Sequence, residues 1–276
     1  MTESDDHDGG AHDAGTDADP GVGPEETGPS NLSPRIEKLH TLPLTERRVA
    51  MRRLAAAGRD VIELMSSTAA ETSELDEASA RLEEVVGILQ RYPSGSGYEG
   101  VAEMANAGDL WAERQQMIED GDAEAFAAFD YSPFIGLANP MSPPILMDYE
   151  GERVVARVTF GAAYEGPPAC VHGGYVAAAF DELLGATQSL SGAQGMTARL
   201  TVNFRSPTPL NEELTLEGWL ERREGRKIWV VGKMMAGDLL TAEAEGLFIA
   251  FDSEGFRALL ETRMTMQARS TQPPSK

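Results

Sequence analysis

The residues best suited to chemistry lie in one stretch, Gly166 to Thr187, GPPACVHGGYVAAAFDELLGAT. It opens on His172-Gly173-Gly174 and carries two adjacent carboxylates, Asp181 and Glu182, in an otherwise apolar run. By length and alanine content, Gly173 to Leu190 reads as a helix. The first amides of a helix have no partner within it, and the helix dipole adds partial positive charge there. Lacking side chains, Gly173 and Gly174 would let a ligand oxygen close on those amides. That geometry holds a carbonyl whose oxygen becomes negative under attack. The competing reading is that the glycines only let the chain turn tightly, and the triplet alone leaves the two level.

Asp181 follows Gly173 by eight residues, which at 1.5 Å per residue separates them by about 12 Å along one helix. One reacting atom cannot touch both. If both serve one substrate, they come from different copies of the helix, so an enzyme of this kind is a dimer. Adjacent helical residues diverge by about 100°, so only one of Asp181 and Glu182 faces a given site, and periodicity does not say which. Among Ala177, Ala178 and Phe180 an unpaired charge is costly, so the plainer alternative pairs one acid with an arginine and solvates the other. Cys170 and His172 lie two apart and invite a Cys-His nucleophile. Nothing in the sequence orients the imidazole, so Cys170 reads as a small buried residue and His172 as a residue that fixes the turn or touches substrate.

HGGYVAAAFDE, with Asp181 nine positions after His172, resembles the HGG-x6-D motif of PaaI-like hotdog-fold acyl-CoA thioesterases. The following MTARLTVNFRSPTPL and the EGRKIWV hairpin are most similar to the THEM branch of that family. The resemblance covers roughly 143–252. It implies a hotdog fold, an antiparallel sheet wrapped around a central helix. It also implies hydrolysis of an acyl-CoA thioester with no cofactor beyond the CoA of the substrate. On that resemblance the Gly173 amide polarises the thioester carbonyl. Asp181 acts as general base or nucleophile, and Thr197 occupies the Ser/Thr position that orients the water or the acid. The family pairs glycine and Asp across a homodimer interface, so a homodimer or a tetramer is the expected assembly. One departure stands out: where some members place an Asn six residues before the His, this chain has Gly166. The alternatives are a hotdog hydratase or dehydratase, although the chain lacks an HFP-x-x-P segment, and a non-catalytic acyl-CoA or protein-binding module.

CoA carries phosphates, and the cations available to meet them are Arg205, Arg222, Arg223, Arg226 and Lys227. Of these, Arg205, Arg226 and Lys227 are taken as substrate-binding candidates beside His172 and Gly174. The four histidines give no zinc spacing, and no metal is expected.

These residues need elements to position them. From Ile145 the chain reads as short β-type runs: a hairpin around Glu150-Gly151, then Met196–Arg205, Leu214–Arg223, Lys227–Met235 and Thr241–Phe251. Leu200, Val202 and Phe204 alternate with polar neighbours. One apolar helix among antiparallel strands gives a two-layer α+β domain over 130–252. Before it, 33–129 reads as a helical extension. Arg47, Arg48, Arg52, Arg53 and Arg59 share a first segment with Leu54, Val61 and Leu64, and Leu75, Leu82 and Leu89 recur at seven-residue intervals in a second. The favoured reading packs these helices on their own domain and leaves the basic face solvated. PSGSGYEG at 93–100 reads as a loop, and Leu110 to Phe129 as a further helix.

The first thirty residues hold nine Asp or Glu and no Lys or Arg, part of a net charge of −22. Such a composition cannot repay its ordering entropy, so 1–32 is expected to be a disordered acidic tail and 253–276 a loose one. The acidic balance argues against nucleic acid. No apolar run is long enough to span a bilayer, and a single cysteine suits a reducing compartment. A cytoplasmic location is the resulting expectation.

Overall fold

The computed structural model describes residues 44–92, 129–193 and 195–250. The expected acidic tail, the loop at 93–100, the helix from 110 up to its final residue and the C-terminal tail lie outside them. Phe129 itself opens a short 3-10 turn, Phe129–Tyr131.

Helix α1 spans Glu46–Ser67 and α2 spans Thr72–Leu89. Thr45 caps α1 by accepting the Arg48 N–H, and α2 starts with a capping box between Glu71 and Glu74. The sheet follows, with β1 at Leu146–Glu150, β2 at Arg153–Thr159, β3 at Gly195–Phe204, β4 at Glu213–Glu224, β5 at Lys227–Ala236 and β6 at Leu239–Ala250. All neighbours are antiparallel, in the order β1-β2-β4-β5-β6-β3. Between β2 and β3 lies α3, Gly173–Thr187, which passes into a 3-10 turn, Gln188–Ser191, and stops at Gly192 in the left-handed conformation.

The sheet wraps α3. Val176, Phe180, Leu183 and Leu184 of the helix are almost fully buried, facing Leu216, Val230, Met234 and Phe248 of the strands. Burying each large side chain contributes about 2 kcal/mol. The helix lies close because the strands beneath it lack side chains where it crosses: a Cβ at Gly218 would strike Thr187 and Leu183, and one at Gly232 would press on Leu183 and Leu184. This is the expected α+β hotdog arrangement, with helices preceding the sheet.

The extension departs from expectation in two ways. The basic face of α1 is only partly solvated: Arg47 and Arg53 are exposed, but the other three arginines are engaged. Arg48 and Arg52 both bind the Asp130 carboxylate, at 3.0 and 2.6 Å, with Arg48 and Asp130 buried. Arg59 donates to the Leu137 and Asn139 carbonyls at 3.1 and 2.9 Å. Periodicity located this face but could not name its carboxylate, which lies 82 residues from Arg48. The boundary expected near Asp130 is thus bridged by α1. In contrast, α2 has no buried residue, and its Leu75, Leu82 and Leu89 stripe is exposed.

Candidate active site

His172 is the N-cap of α3, with φ −60° and ψ 130°. Its Nδ1 accepts the Gly174 N–H at 3.0 Å. A neutral ring accepting at Nδ1 carries its proton on Nε2. Tyr175 and Val176 donate to the His172 carbonyl, so α3 begins in earnest there. The expectation of two open glycine amides is therefore reduced to one: Gly174 spends its N–H on His172, and the Gly173 N–H has no acceptor among the described residues. A Cβ at Gly173 would meet the Phe204 ring at 3.2 Å, so Phe204, itself exposed, stands beside this amide.

The loop leading into the cap is tight. Gly166 donates to the Cys170 carbonyl and Cys170 to that of Pro167. Ala169 holds φ at 61°, a conformation more usual for glycine, with its N–H bound by the Glu165 carboxylate at 2.7 Å. A Cβ at Gly166 would lie 2.7 Å from the His172 Cα. A larger residue, asparagine included, does not fit this loop without a backbone shift. Cys170 is half-buried and bridges Pro209, and the His172 Nδ1 is taken by the Gly174 N–H rather than by the thiol.

Asp181 is exposed, two turns further along α3. Thr197 Oγ donates to its Oδ1 at 2.9 Å. This singles out Asp181 from the adjacent pair. The contact needs an irregularity that the sequence pattern hides. Thr197 is out of phase with Leu200, Val202 and Phe204 in a strict two-residue alternation. The register of β3 on β6 slips between Thr197 and Arg199, a β-bulge that returns Thr197 to the face of the sheet that carries α3. Its cross-strand partner, Phe248, is buried on that same face.

Glu182 is half-buried. Burial, and secondarily the Asp181 charge beside it, push its carboxyl up from 4.5 to about 7. Two acids in sequence thus occupy different environments: one exposed and hydrogen-bonded, the other close to neutral.

The cationic candidates divide between the ends of the sheet. Arg205 follows Phe204 at the Gly173 end and pairs with Glu243 at 2.7 Å. Arg226 donates to the Ala250 carbonyl, and Lys227, Ile249 and Met196 share one cross-strand row at the Thr197 end. Arg222 lies over Trp229 and binds Glu221 and Glu224; Arg223 donates to the Ser191 carbonyl. Within one chain, Gly173, Phe204 and Arg205 are therefore separated from Asp181, Thr197, Arg226 and Lys227. Two further residues had no sequence signal as site elements. Phe204 was legible only as an alternating apolar residue. Glu63 of α1 binds backbone amides 99 and 100 residues away. Among the described residues no three His, Cys, Asp or Glu side chains gather in a way that could hold a metal ion, and no helix is long and apolar enough to cross a membrane.

Residues 170–245 match the family model described as the thioesterase superfamily. Over 112 residues the chain is 35% identical to the acyl-coenzyme A thioesterase THEM4 of Bos taurus, covering 40% of this chain and 46% of the relative. Over 99 residues it is 35% identical to the Xenopus laevis protein of the same name, covering 35% and 45%. The chain thus spans less than half the length of these curated relatives. Among solved structures, a thioesterase superfamily protein aligns at 28% identity and a TM-score of 0.57, covering 72% of this chain and 94% of the other.

Proposed function

We propose that this chain, which carries a thioesterase-superfamily domain at residues 170–245, is an acyl-CoA thioesterase whose site is completed by a second copy. The observation that carries the reading is the 2.9 Å hydrogen bond from Thr197 to Asp181 on the helix whose mouth presents the Gly173 amide. Thr197 occupies Oδ1 and leaves the other carboxylate oxygen to take a proton from water. The relatives' name supplies the substrate class.

The reaction needs few groups. Asp181 removes a proton from water as the oxygen attacks the thioester carbon. The carbonyl oxygen becomes negative against the Gly173 N–H at the positive end of α3. The tetrahedral adduct then expels the thiolate, which takes a proton back from Asp181. The acid and the thiol are the products, and the Asp181 carboxylate is restored. His172 fixes the cap and, as an exposed residue beside Gly173, stands where it can meet substrate. Since Gly166 leaves no room for an added side chain, carbonyl support on this reading rests on the Gly173 amide and groups around it.

Dimerisation is supported by three features. Gly173 and Asp181 are about 12 Å apart along α3. The candidate residues split into two half-sites at opposite ends of the sheet. And β3, ten residues long and mostly exposed, is an edge strand with open backbone groups. Antiparallel pairing of two β3 edges would bring one protomer's Gly173 end to its partner's Asp181 end. Arg205 of one copy would then approach Arg226 and Lys227 of the other, a cationic set suited to CoA phosphates.

Thiol release from acyl-CoAs of graded length, including aromatic acyl groups, tests the proposal. Wild type is expected to turn over at least one of them. Asp181→Asn is expected to lose at least about a hundredfold in kcat, the scale of general-base removal, with equal mass by light scattering. Equal rates would sink the assignment of Asp181. Binding without turnover by either protein would favour a non-catalytic acyl-CoA-binding module.

A further inference from the structure

We infer that Glu63, on a helix outside the sheet domain, is a positioning residue for the Gly173 amide. The inference rests on the thioesterase reading for its catalytic consequence, and on geometry alone for the positioning itself.

The Glu63 carboxylate grips both leading amides of the 3-10 turn Ala162–Tyr164: Oε1 accepts the Ala162 N–H at 2.6 Å and Oε2 that of Ala163 at 3.0 Å. The preceding residue is Gly161, where a Cβ would collide with the same carboxyl. The backbone therefore makes room for this acid. Glu63 lies near the C-terminal end of α1, where the helix dipole disfavours a carboxylate. The two amides it binds supply the compensation.

The turn is in turn fastened to the mouth of α3. The Tyr164 carbonyl accepts the His172 N–H at 2.9 Å. The Tyr164 ring meets that of Tyr175, in the first turn of α3, edge-on at 4.9 Å, and that of Phe160 at 5.4 Å. His172 in turn holds the Gly174 N–H. So Glu63 fixes the turn, the turn fixes both His172 and Tyr175, and those two residues bracket Gly173. The other end of the chain of contacts is equally anchored. Arg48 and Arg52 tie α1 to Asp130, Arg59 ties it to the 137–139 carbonyls, and Gly58 lets it close on Pro140. A carboxylate held this rigidly transmits position. An amide donor to a developing oxyanion is sensitive to displacement of a fraction of an ångström, so the loss falls on turnover more than on binding.

The test uses the full chain with Glu63→Ala and Glu63→Gln, the second retaining one acceptor oxygen at the same reach. Two readouts are taken well below the melting temperature. One is kcat and KM on the acyl-CoA best hydrolysed by wild type; the other is amide hydrogen exchange by mass spectrometry. The expected result for Glu63→Ala is faster exchange at both 162–164 and 172–175, unchanged exchange at 183–187, and kcat down about tenfold at an unaltered KM. Glu63→Gln should fall between. Faster exchange confined to 162–164 with normal kcat would overturn the inference, as would a lowered melting temperature with exchange at 172–175 and kinetics both unmoved. If wild type hydrolyses no acyl-CoA, the functional reading fails instead, and the exchange at 172–175 still decides the positioning.

Discussion

Replacing Glu182 with Gln tests whether the acid beside Asp181 is held in an environment that resists its charge. Its carboxyl moves from an ordinary value of 4.5 to about 7 in the folded protein, through burial first and the Asp181 charge second. Between those values the folded state keeps a proton that the unfolded chain releases. Stability is therefore fullest below about pH 4.5, falls as pH rises toward 7, and levels off above. At about 1.4 kcal/mol per pH unit, the wild type should lose about 2.5 kcal/mol from this group between pH 5 and pH 8. Glu182→Gln has nothing to titrate. Relative to wild type it should gain about 2.5 kcal/mol between those pH values, or roughly 5–10 °C in melting temperature for a chain of this size. Urea unfolding of both proteins at pH 5 and pH 8, at one protomer concentration and fixed salt, measures the difference. The same gap between the two proteins at both pH values would refute the assignment, because a purely steric effect of the amide does not titrate.

Two other substitutions report on neighbouring contacts. Thr197→Val removes the hydrogen bond to a carboxylate while keeping the side-chain shape. A charge-assisted bond of about 1.5–3 kcal/mol implies a loss in kcat of roughly 10- to 100-fold, recovered in large part by Thr197→Ser and read from steady-state kinetics. Asp130→Asn withdraws the carboxylate that Arg48 and Arg52 share. It should destabilise the fold by about 3 kcal/mol, at the lower end for a buried pair because Arg52 is partly exposed, as measured by urea unfolding.

Much of the sheet domain was legible in the sequence because its signals are local. Alanine content and the His-Gly-Gly triplet mark α3, and turn glycines punctuate the strands close to where they end. The expected helix ran to Leu190, whereas α3 gives way at Thr187 to a 3-10 turn, the ordinary uncertainty of a helix end. Less legible were features that depend on what an element docks against. The arginines of α1 form a face by periodicity, yet whether that face meets water or Asp130 is decided by tertiary packing. Thr197 illustrates a second limit. Its parity along β3 places it opposite Leu200 and Phe204, and only the bulge brings it to Asp181. Glu63 illustrates a third, since a carboxylate that caps a turn 99 residues away leaves no trace in local spacing. Periodicity left Asp181 and Glu182 level, and the hydroxyl that distinguishes them, Thr197 on Asp181, comes from a strand that local spacing does not connect to the helix.

The central claim is that amide and base act from different protomers, and mixed dimers test it most directly. Gly173→Pro deletes the amide hydrogen at the first helical position, where proline is tolerated and where the extended ψ of 130° at His172 accommodates it; the exposed Phe204 ring, 3.2 Å from an added Cβ, has to give by a few tenths of an ångström. Gly173→Pro and Asp181→Asn homodimers should each be nearly inactive. Co-expressed with different tags and purified as the heterodimer, they should recover about half of wild-type kcat per dimer, because one of its two symmetry-related sites then holds an intact glycine amide and an intact carboxylate. A heterodimer no more active than either parent would contradict the account and place both groups of each site within one chain.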